Sequence, residues 1–279
     1  MVRVGLWGFG RWGKNLARAI VGSGAELVWV ADQSDERLLE ARAAYPSASA
    51  ISEPAWASVQ AVVIALPIEA HELATHAALS HGKHVLCEKP LARTKAQAQM
   101  LADEAKRAGV VLMADHTWLA HQGVTSGLGG HQPYWAWRWA RDDRPLDPIE
   151  DLLPHDIVLA QRHFGCNVKR VEAYHGRYGD QWVDLDFGIN DAFLSYSYAE
   201  DERRRMVMVG GFPADFRNDG TNLPGAPEPL TVILAEFLSA IAERREPNIG
   251  GPAEFIHVAA VIEAAKKSRA AGGEWVDVE

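Results

Sequence analysis

Residues 2–32 read VRVGLWGFGRWGKNLARAIVGSGAELVWVAD, and the order of residue types in this stretch decides the fold. An apolar run to Trp7 gives way to Gly8-Phe9-Gly10-Arg11-Trp12-Gly13. Leu16, Ala17 and Ile20 then recur at helical spacing, and ELVWVA at 26–31 returns as a strand closed by Asp32. A strand, a G-x-G-x-x-G turn, a helix and a strand ending in an acid form the βαβ unit that binds dinucleotides. Gly8 permits the tight turn, Gly10 lets a pyrophosphate approach the backbone, and Gly13 lets helix and strand pack closely. The helix N-terminus offers its unpaired N–H groups to phosphate, so Gly8, Phe9, Gly10, Arg11, Trp12 and Gly13 form the expected cofactor cradle. Asp32 accepts from ribose hydroxyls and repels a 2′-phosphate, which favours NAD over NADP. Without a ligand the same glycines make only a tight strand-to-helix turn; the flanking strand, the helix and the placement of Asp32 point to the cofactor.

The alternation continues. Residues 35–44 read as a helix ending before Pro46, 47–51 as a short strand and 54–58 as a helical turn. Residues 61–66 are a β-branched apolar run, as in a strand buried on both faces of a parallel sheet. Leu73, Ala77 and Leu79 give 69–81 a helical period, with His81-Gly82 as its stop. Val85-Leu86-Cys87 is apolar again, which puts Glu88, Lys89 and Pro90 just past the carboxyl end of a strand. Ligands bind at that edge in open α/β sheets. A helix at 94–108, capped by Thr94 and stopped by Gly109, and a strand at 110–114 complete a doubly wound parallel sheet of about six strands. The first domain should therefore end near Asp115 or His116.

Beyond it the texture changes. Residues 123–132 hold four glycines and read as a loop. Residues 134–140 alternate strictly, with Trp135, Trp137 and Trp139 on one side and Ala136, Arg138 and Ala140 on the other. Such a stripe stacks on a sugar ring or, more commonly, packs against helices or a second subunit. Strands are expected at 168–175, 181–187, 192–198 and 205–210, helices at 230–244 and 252–271, and a mobile loop at 218–229. Arg203-Arg204-Arg205 follows three acids and reads as a solvated hairpin turn. Between the tryptophan strand and its successors, Pro154 in a first helical turn would put Asp151 and His155 four positions apart on one face. The residues alone leave two roles open there: an acid and a histidine at a helix start serve either as backbone cap and packing or as reacting groups.

Bulk properties narrow the classes. Net charge is −9, which argues against nucleic-acid and anionic-membrane surfaces. Two cysteines, Cys87 and Cys166, supply neither a disulfide framework nor a thiolate metal site. The 11 histidines include no H-E-x-x-H spacing, so no metal is expected. There is no signal-peptide pattern and no apolar run long enough to span a bilayer; a reducing cytoplasm is the expected location.

Taken together, the glycine turn with Lys14-Asn15-Leu16, the Glu88-Lys89-Pro90-Leu91 run and Asp151-x-x-x-His155-Asp156 resemble the Gfo/Idh/MocA family of NAD(P)-dependent oxidoreductases. The likeness is dense over 2–116 and 151–159 and thin beyond about residue 164. His116-Thr117-Trp118-Leu119 looks most like the sugar and nucleotide-sugar dehydrogenases of that family, although Ala120 stands where an aromatic residue often follows. The resemblance implies an N-terminal Rossmann domain (1–116) and a C-terminal α/β domain with an open, mostly antiparallel sheet (117–279) for substrate and oligomer contacts. It implies Lys89, Asp151 and His155 as catalytic groups that contact the substrate; His116, at the end of the last strand of the first domain, is a further expected residue of the substrate cleft. Leu66, Pro67 and His71 would flank the nicotinamide ribose, and Glu88 with Lys89 would complete the cofactor site.

The chemistry implied is oxidation of a ring secondary alcohol, in a sugar, inositol or nucleotide sugar, or its reversal. His155 has the pKa range of a base for the hydroxyl proton, and the Lys89 ammonium stabilises charge on oxygen. A homodimer or homotetramer is expected. Two rivals are an imine or enone reductase of the same fold, which has less need of the full lysine–aspartate–histidine set, and an NAD-binding regulator without catalysis. A metal-dependent hydrolase is a third.

Overall fold

The computed structural model describes residues 1–125, 128–130, 132–139, 147–176, 180–197, 204–209, 212–215 and 225–279. Two compact units emerge, and they are not the two contiguous halves that the sequence suggests. The first comprises residues 1–92, 96–120 and 227–255; the second takes 93–95, 121–226 and 256–279.

In chain order the first unit runs β1 (Arg3–Trp7), α1 (Arg11–Gly22), β2 (Glu26–Ala31), α2 (Asp35–Ala44), β3 (Ser49–Ile51), a 3-10 turn (Trp56–Ser58), β4 (Ala61–Ile64), α3 (Ile68–Ser80), β5 (His84–Glu88), α4 (Lys95–Ala108), β6 (Leu112–Asp115) and a second 3-10 turn (Thr117–Ala120). Every strand pair is parallel and the order is β3-β2-β1-β4-β5-β6. This is the doubly wound dinucleotide-binding order, with its crevice where the order reverses between β1 and β4. β4 and β6 are buried at every residue, as expected of strands covered on both faces. Ser34 starts α2 by accepting the Arg37 N–H.

Helix α3 departs from its expected face. Leu73 is 73% exposed, whereas His71, Ala74, Thr75, Ala78 and Leu79 are buried. Apolar residues lie nearly all round this helix, so their spacing alone does not select the side that packs.

Strand β7 (Tyr134–Trp139) follows α5 (Gln122–Thr125), a single helical turn where the sequence suggests only loop. Next come α6 (Pro148–Asp151), α7 (Leu153–Phe164), β8 (Arg170–His175), β9 (Gln181–Asp186), β10 (Asp191–Ser197), β11 (Arg204–Val209) and β12 (Phe212–Asp215). Helix α8 (Pro229–Glu243) returns to the first unit. There Leu230, Ile233, Leu234 and Phe237 join the core formed by Val4, Leu6, Leu16, Ile20, Val63, Leu86 and Met113. Each such fully buried side chain contributes roughly 1.5–3 kcal/mol. The first unit thus needs a helix more than 100 residues beyond its sheet. Helix α9 (Pro252–Ala270) and β13 (Val276–Asp277) end the chain.

The described strands of the second sheet are ordered β12-β11-β7-β10-β9-β8-β13. All its pairs are antiparallel except β10 with β7. On β7 the buried side is Tyr134 and Ala136, while Trp135 is half-buried and stacks on Phe193 of β10 with centroids 4.4 Å apart. The face with Tyr134 and Ala136 therefore packs inward, and Trp135 lies on the opposite side. Arg204 and Arg205 belong to β11 rather than to a turn; Arg203 and 218–224 of the expected mobile loop lie outside the described residues. Among the described residues no helix is long and apolar enough to cross a membrane.

Candidate active site

The glycine turn is built by close approach. Gly8 takes φ +102°, and a Cβ there would collide with the Ala65 carbonyl. A Cβ on Gly13 would collide with the Gly8 carbonyl, whereas one on Gly10 would meet nothing within 4 Å. Gly10 is the N-cap of α1 and supplies no side-chain acceptor to the first-turn N–H groups, and that turn carries no acid. Open space over bare amides at a helix N-terminus fits a pyrophosphate. At the end of β2, Asp32 is 6% exposed. Its Oδ2 accepts the Phe9 N–H at 2.7 Å and its Oδ1 the Ser34 N–H at 2.9 Å. An Arg37 guanidinium nitrogen stands 3.5 Å from Oδ2. The dinucleotide parts present in this unit thus fit NAD.

Around the carboxyl ends of β4, β5 and β6 lies a second group. His71 is 2% exposed, with Nδ1 2.8 Å from the Pro90 carbonyl and Nε2 2.9 Å from the Leu66 carbonyl. Both ring nitrogens face backbone carbonyl oxygens, and the single N–H of a neutral imidazole donates to one of the two. Burial holds its pKa below the usual histidine range, outweighing the two carbonyls. The Lys89–Pro90 peptide is cis.

Glu88 and Asp115 are paired across β5 and β6. Glu88 Oε2 accepts the Lys89 N–H at 3.1 Å, and Asp115 accepts from the Trp12 indole at 3.4 Å and from the Thr117 hydroxyl. Burial, followed by the charge of Asp115, pushes Glu88 well above the ordinary carboxylate range. Sequence reasoning marked Glu88 but missed Asp115; an acid at the last residue of a buried strand was the available signal. The Lys89 ammonium is close enough to act electrostatically on His71, Glu88, Asp115 and His116. His116 is 1% exposed, and among the described residues neither ring nitrogen has a hydrogen-bond partner. Burial, then Lys89, holds its pKa down to about 3, so it is a neutral imidazole.

Residues 2–116 match a family described as an oxidoreductase family with an NAD-binding Rossmann fold. An uncharacterized oxidoreductase of Streptococcus pneumoniae is 31% identical over 262 residues, covering 81% of this chain and 70% of that protein. The chain belongs to the Gfo/Idh/MocA family. Another relative, the 1,5-anhydro-D-fructose reductase of Ensifer adhaerens, is 31% identical over 202 residues, covering 68% of this chain and 54% of the reductase. The chain thus spans little more than half of that reductase's length. In fold it is similar to UDP-N-acetylglucosamine 3-dehydrogenase from Acidithiobacillus ferrooxidans, with TM-score 0.85, 24% identity and coverage of 97% and 98% of the two chains.

The Asp151 and His155 expected of a Gfo/Idh/MocA member lie in the second unit, but not on one continuous helix. Asp151 ends α6, Leu152 interrupts, and His155 is in the first turn of α7, 8% exposed. Asp147 caps α6, accepting the Ile149 N–H at 3.0 Å and pairing with Arg269 at 2.6 Å, and α7 starts without a side-chain cap. Asp156, next to His155, is fully buried and accepts from Tyr134 at 3.2 Å and Tyr196 at 3.0 Å. It ties α7 to β7 and β10 and thereby fixes the turn that carries His155. Among the described residues no cluster of three or more His, Cys, Asp or Glu is arranged for a metal.

Proposed function

We propose that the chain is an NAD-dependent dehydrogenase acting on a ring secondary alcohol of a sugar, an inositol or a nucleotide sugar. The observation that carries this reading is Lys89, an ammonium held past the end of β5 among Glu88, Asp115, His116 and His71, in the same unit as the glycine turn shaped for a dinucleotide. The activities named for the reductase and the nucleotide-sugar dehydrogenase support the substrate class.

Bound NAD supplies the hydride-accepting ring. Lys89 stabilises the negative charge that develops on the substrate oxygen. His155 takes the hydroxyl proton and Asp151 accepts a hydrogen bond that orients the substrate. His116 contributes an uncharged imidazole to the substrate side of β6. The open face of the second sheet, with Trp135 upon it, supports a homodimer or homotetramer, which light scattering tests.

The decisive experiment offers sugars, inositols and nucleotide sugars with NAD or NADP and follows the absorbance of reduced nicotinamide. Turnover with one of these classes, lost on the order of 100-fold in Lys89→Ala, is expected. Tight NAD binding with no turnover on any polyol would make the chain a binding-only regulator. A Lys89→Ala variant that keeps full activity would favour imine or enone reduction.

A further inference from the structure

We propose that Glu88 and Asp115 form a carboxyl pair sharing one proton, held on Glu88, and that this pair positions Lys89 against the glycine turn. Residues paired in register on neighbouring parallel strands project side by side, and here both carry acids at the carboxyl edge of the sheet. Two carboxylates in contact away from water do not both ionise.

The surroundings decide which one keeps the proton. Asp115 receives the Thr117 hydroxyl on Oδ1 and the Trp12 indole on Oδ2, and the Thr117 backbone N–H also donates to it. Among the described residues Glu88 receives the Lys89 backbone N–H on Oε2, while its Oε1, sealed from solvent, takes no N–H or O–H. An ionised Glu88 would leave that oxygen uncompensated, whereas a protonated one donates to Asp115. The other groups facing the pair are the Lys89 ammonium, the buried Cys87 thiol and the neutral His116. Of these only Lys89 is charged, and one remaining negative charge matches it. Burial raises both acids, Glu88 well above its ordinary range, in agreement with this assignment.

The pair connects three elements. Trp12 belongs to the first turn of α1, Glu88 holds the backbone that carries Lys89, and Thr117 opens the turn after β6. Glu88 and Asp115 are thus positioning residues, a role not implied by the family motif.

The test compares wild type with Glu88→Gln, Glu88→Ala and Asp115→Asn. Infrared difference spectra of wild type minus Glu88→Gln at neutral pH should contain the carbonyl stretch of a protonated carboxylic acid. Glutamine stays neutral and donates to Asp115, so Glu88→Gln should recover most of the roughly tenfold loss in kcat and in NAD affinity expected of Glu88→Ala. Asp115→Asn should weaken NAD binding by a similar factor through Trp12. No protonated-acid band, or equal losses in Glu88→Gln and Glu88→Ala, would overturn the proposal. The kcat comparison rests on the dehydrogenase reading. The infrared and NAD-binding measurements do not, so an absence of turnover in wild type would sink that reading while these two still decide the pair.

Discussion

The backbone N–H of Phe9 donates to the Asp32 carboxylate at 2.7 Å, joining the glycine turn to the end of β2 inside the core. Asp32 therefore has two duties, one to the turn and one to a ribose. Asp32→Asn retains an acceptor for Phe9 but loses the charge. NAD affinity should fall at least about tenfold, since hydrogen bonds to a charged group contribute about 1.5–3 kcal/mol each. Arg37, released from its 3.5 Å contact with Asp32, becomes available to a 2′-phosphate, so the NADP constant should improve. Titration calorimetry with both cofactors measures the ratio; an unchanged ratio would remove Asp32 as the selector.

Gly8, Gly10 and Gly13 should respond differently to alanine. At Gly8 the left-handed φ and the Ala65 carbonyl oppose a side chain, and at Gly13 the Gly8 carbonyl does. Gly8→Ala and Gly13→Ala should lower stability by at least about 1–2 kcal/mol and weaken NAD binding with it. Gly10 has open space. Gly10→Ala should melt within about 1 kcal/mol of wild type and yet bind NAD poorly, because the methyl group takes the room of a phosphate. Equal melting curves and equal NAD affinity for Gly10→Ala would mean that the dinucleotide does not lie on this turn.

What was legible in the sequence was local. The βαβ alternation and the glycine turn were visible because each depends on residues within about 30 positions of one another. The allegiance of α8 was not, since an apolar helix at 229–243 carries no mark of which sheet it will cover. Strand β12 contains Pro213, which argues against a strand; it forms at the sheet edge, where proline is tolerated. Asp147-Pro148 did carry a helix-start signature, an acid at the cap and proline at the first position, and it starts α6, whereas α7, with Leu152 at its cap position, begins without a side-chain cap. The seat of His71 between two backbone carbonyls and the partnership of Glu88 with Asp115 depend on tertiary contact, to which spacing is blind.

Asp156 offers a stability test in the second unit. Two tyrosine hydroxyls, from β7 and β10, converge on its carboxyl group in a site without solvent. Tyr134→Phe and Tyr196→Phe should each cost roughly 1–3 kcal/mol, and Asp156→Ala more than either, because it takes this acceptor from both hydroxyls at once. Urea unfolding of the single and double variants gives the coupling energy. Strictly additive losses would mean that the three side chains do not act as one network.

The neutral state of His116 sets an acid limb. Its folded pKa is held down to about 3 by burial and by Lys89, while an unfolded chain protonates its histidines near about 6.5. Between these two values the unfolded state binds a proton that the folded state refuses, so stability falls as pH drops. Above the unfolded value the contribution is fully present. Replacing His116 with Phe removes the titrating group, and the plot of unfolding free energy against pH should become shallower below about pH 6.5. It should not become flat, because burial also lowers His71, His84 and His257. Urea titrations at several pH values measure both slopes. Identical acid limbs for the two proteins would mean that His116 takes up its proton in the folded state, and that a counter-charge reaches it.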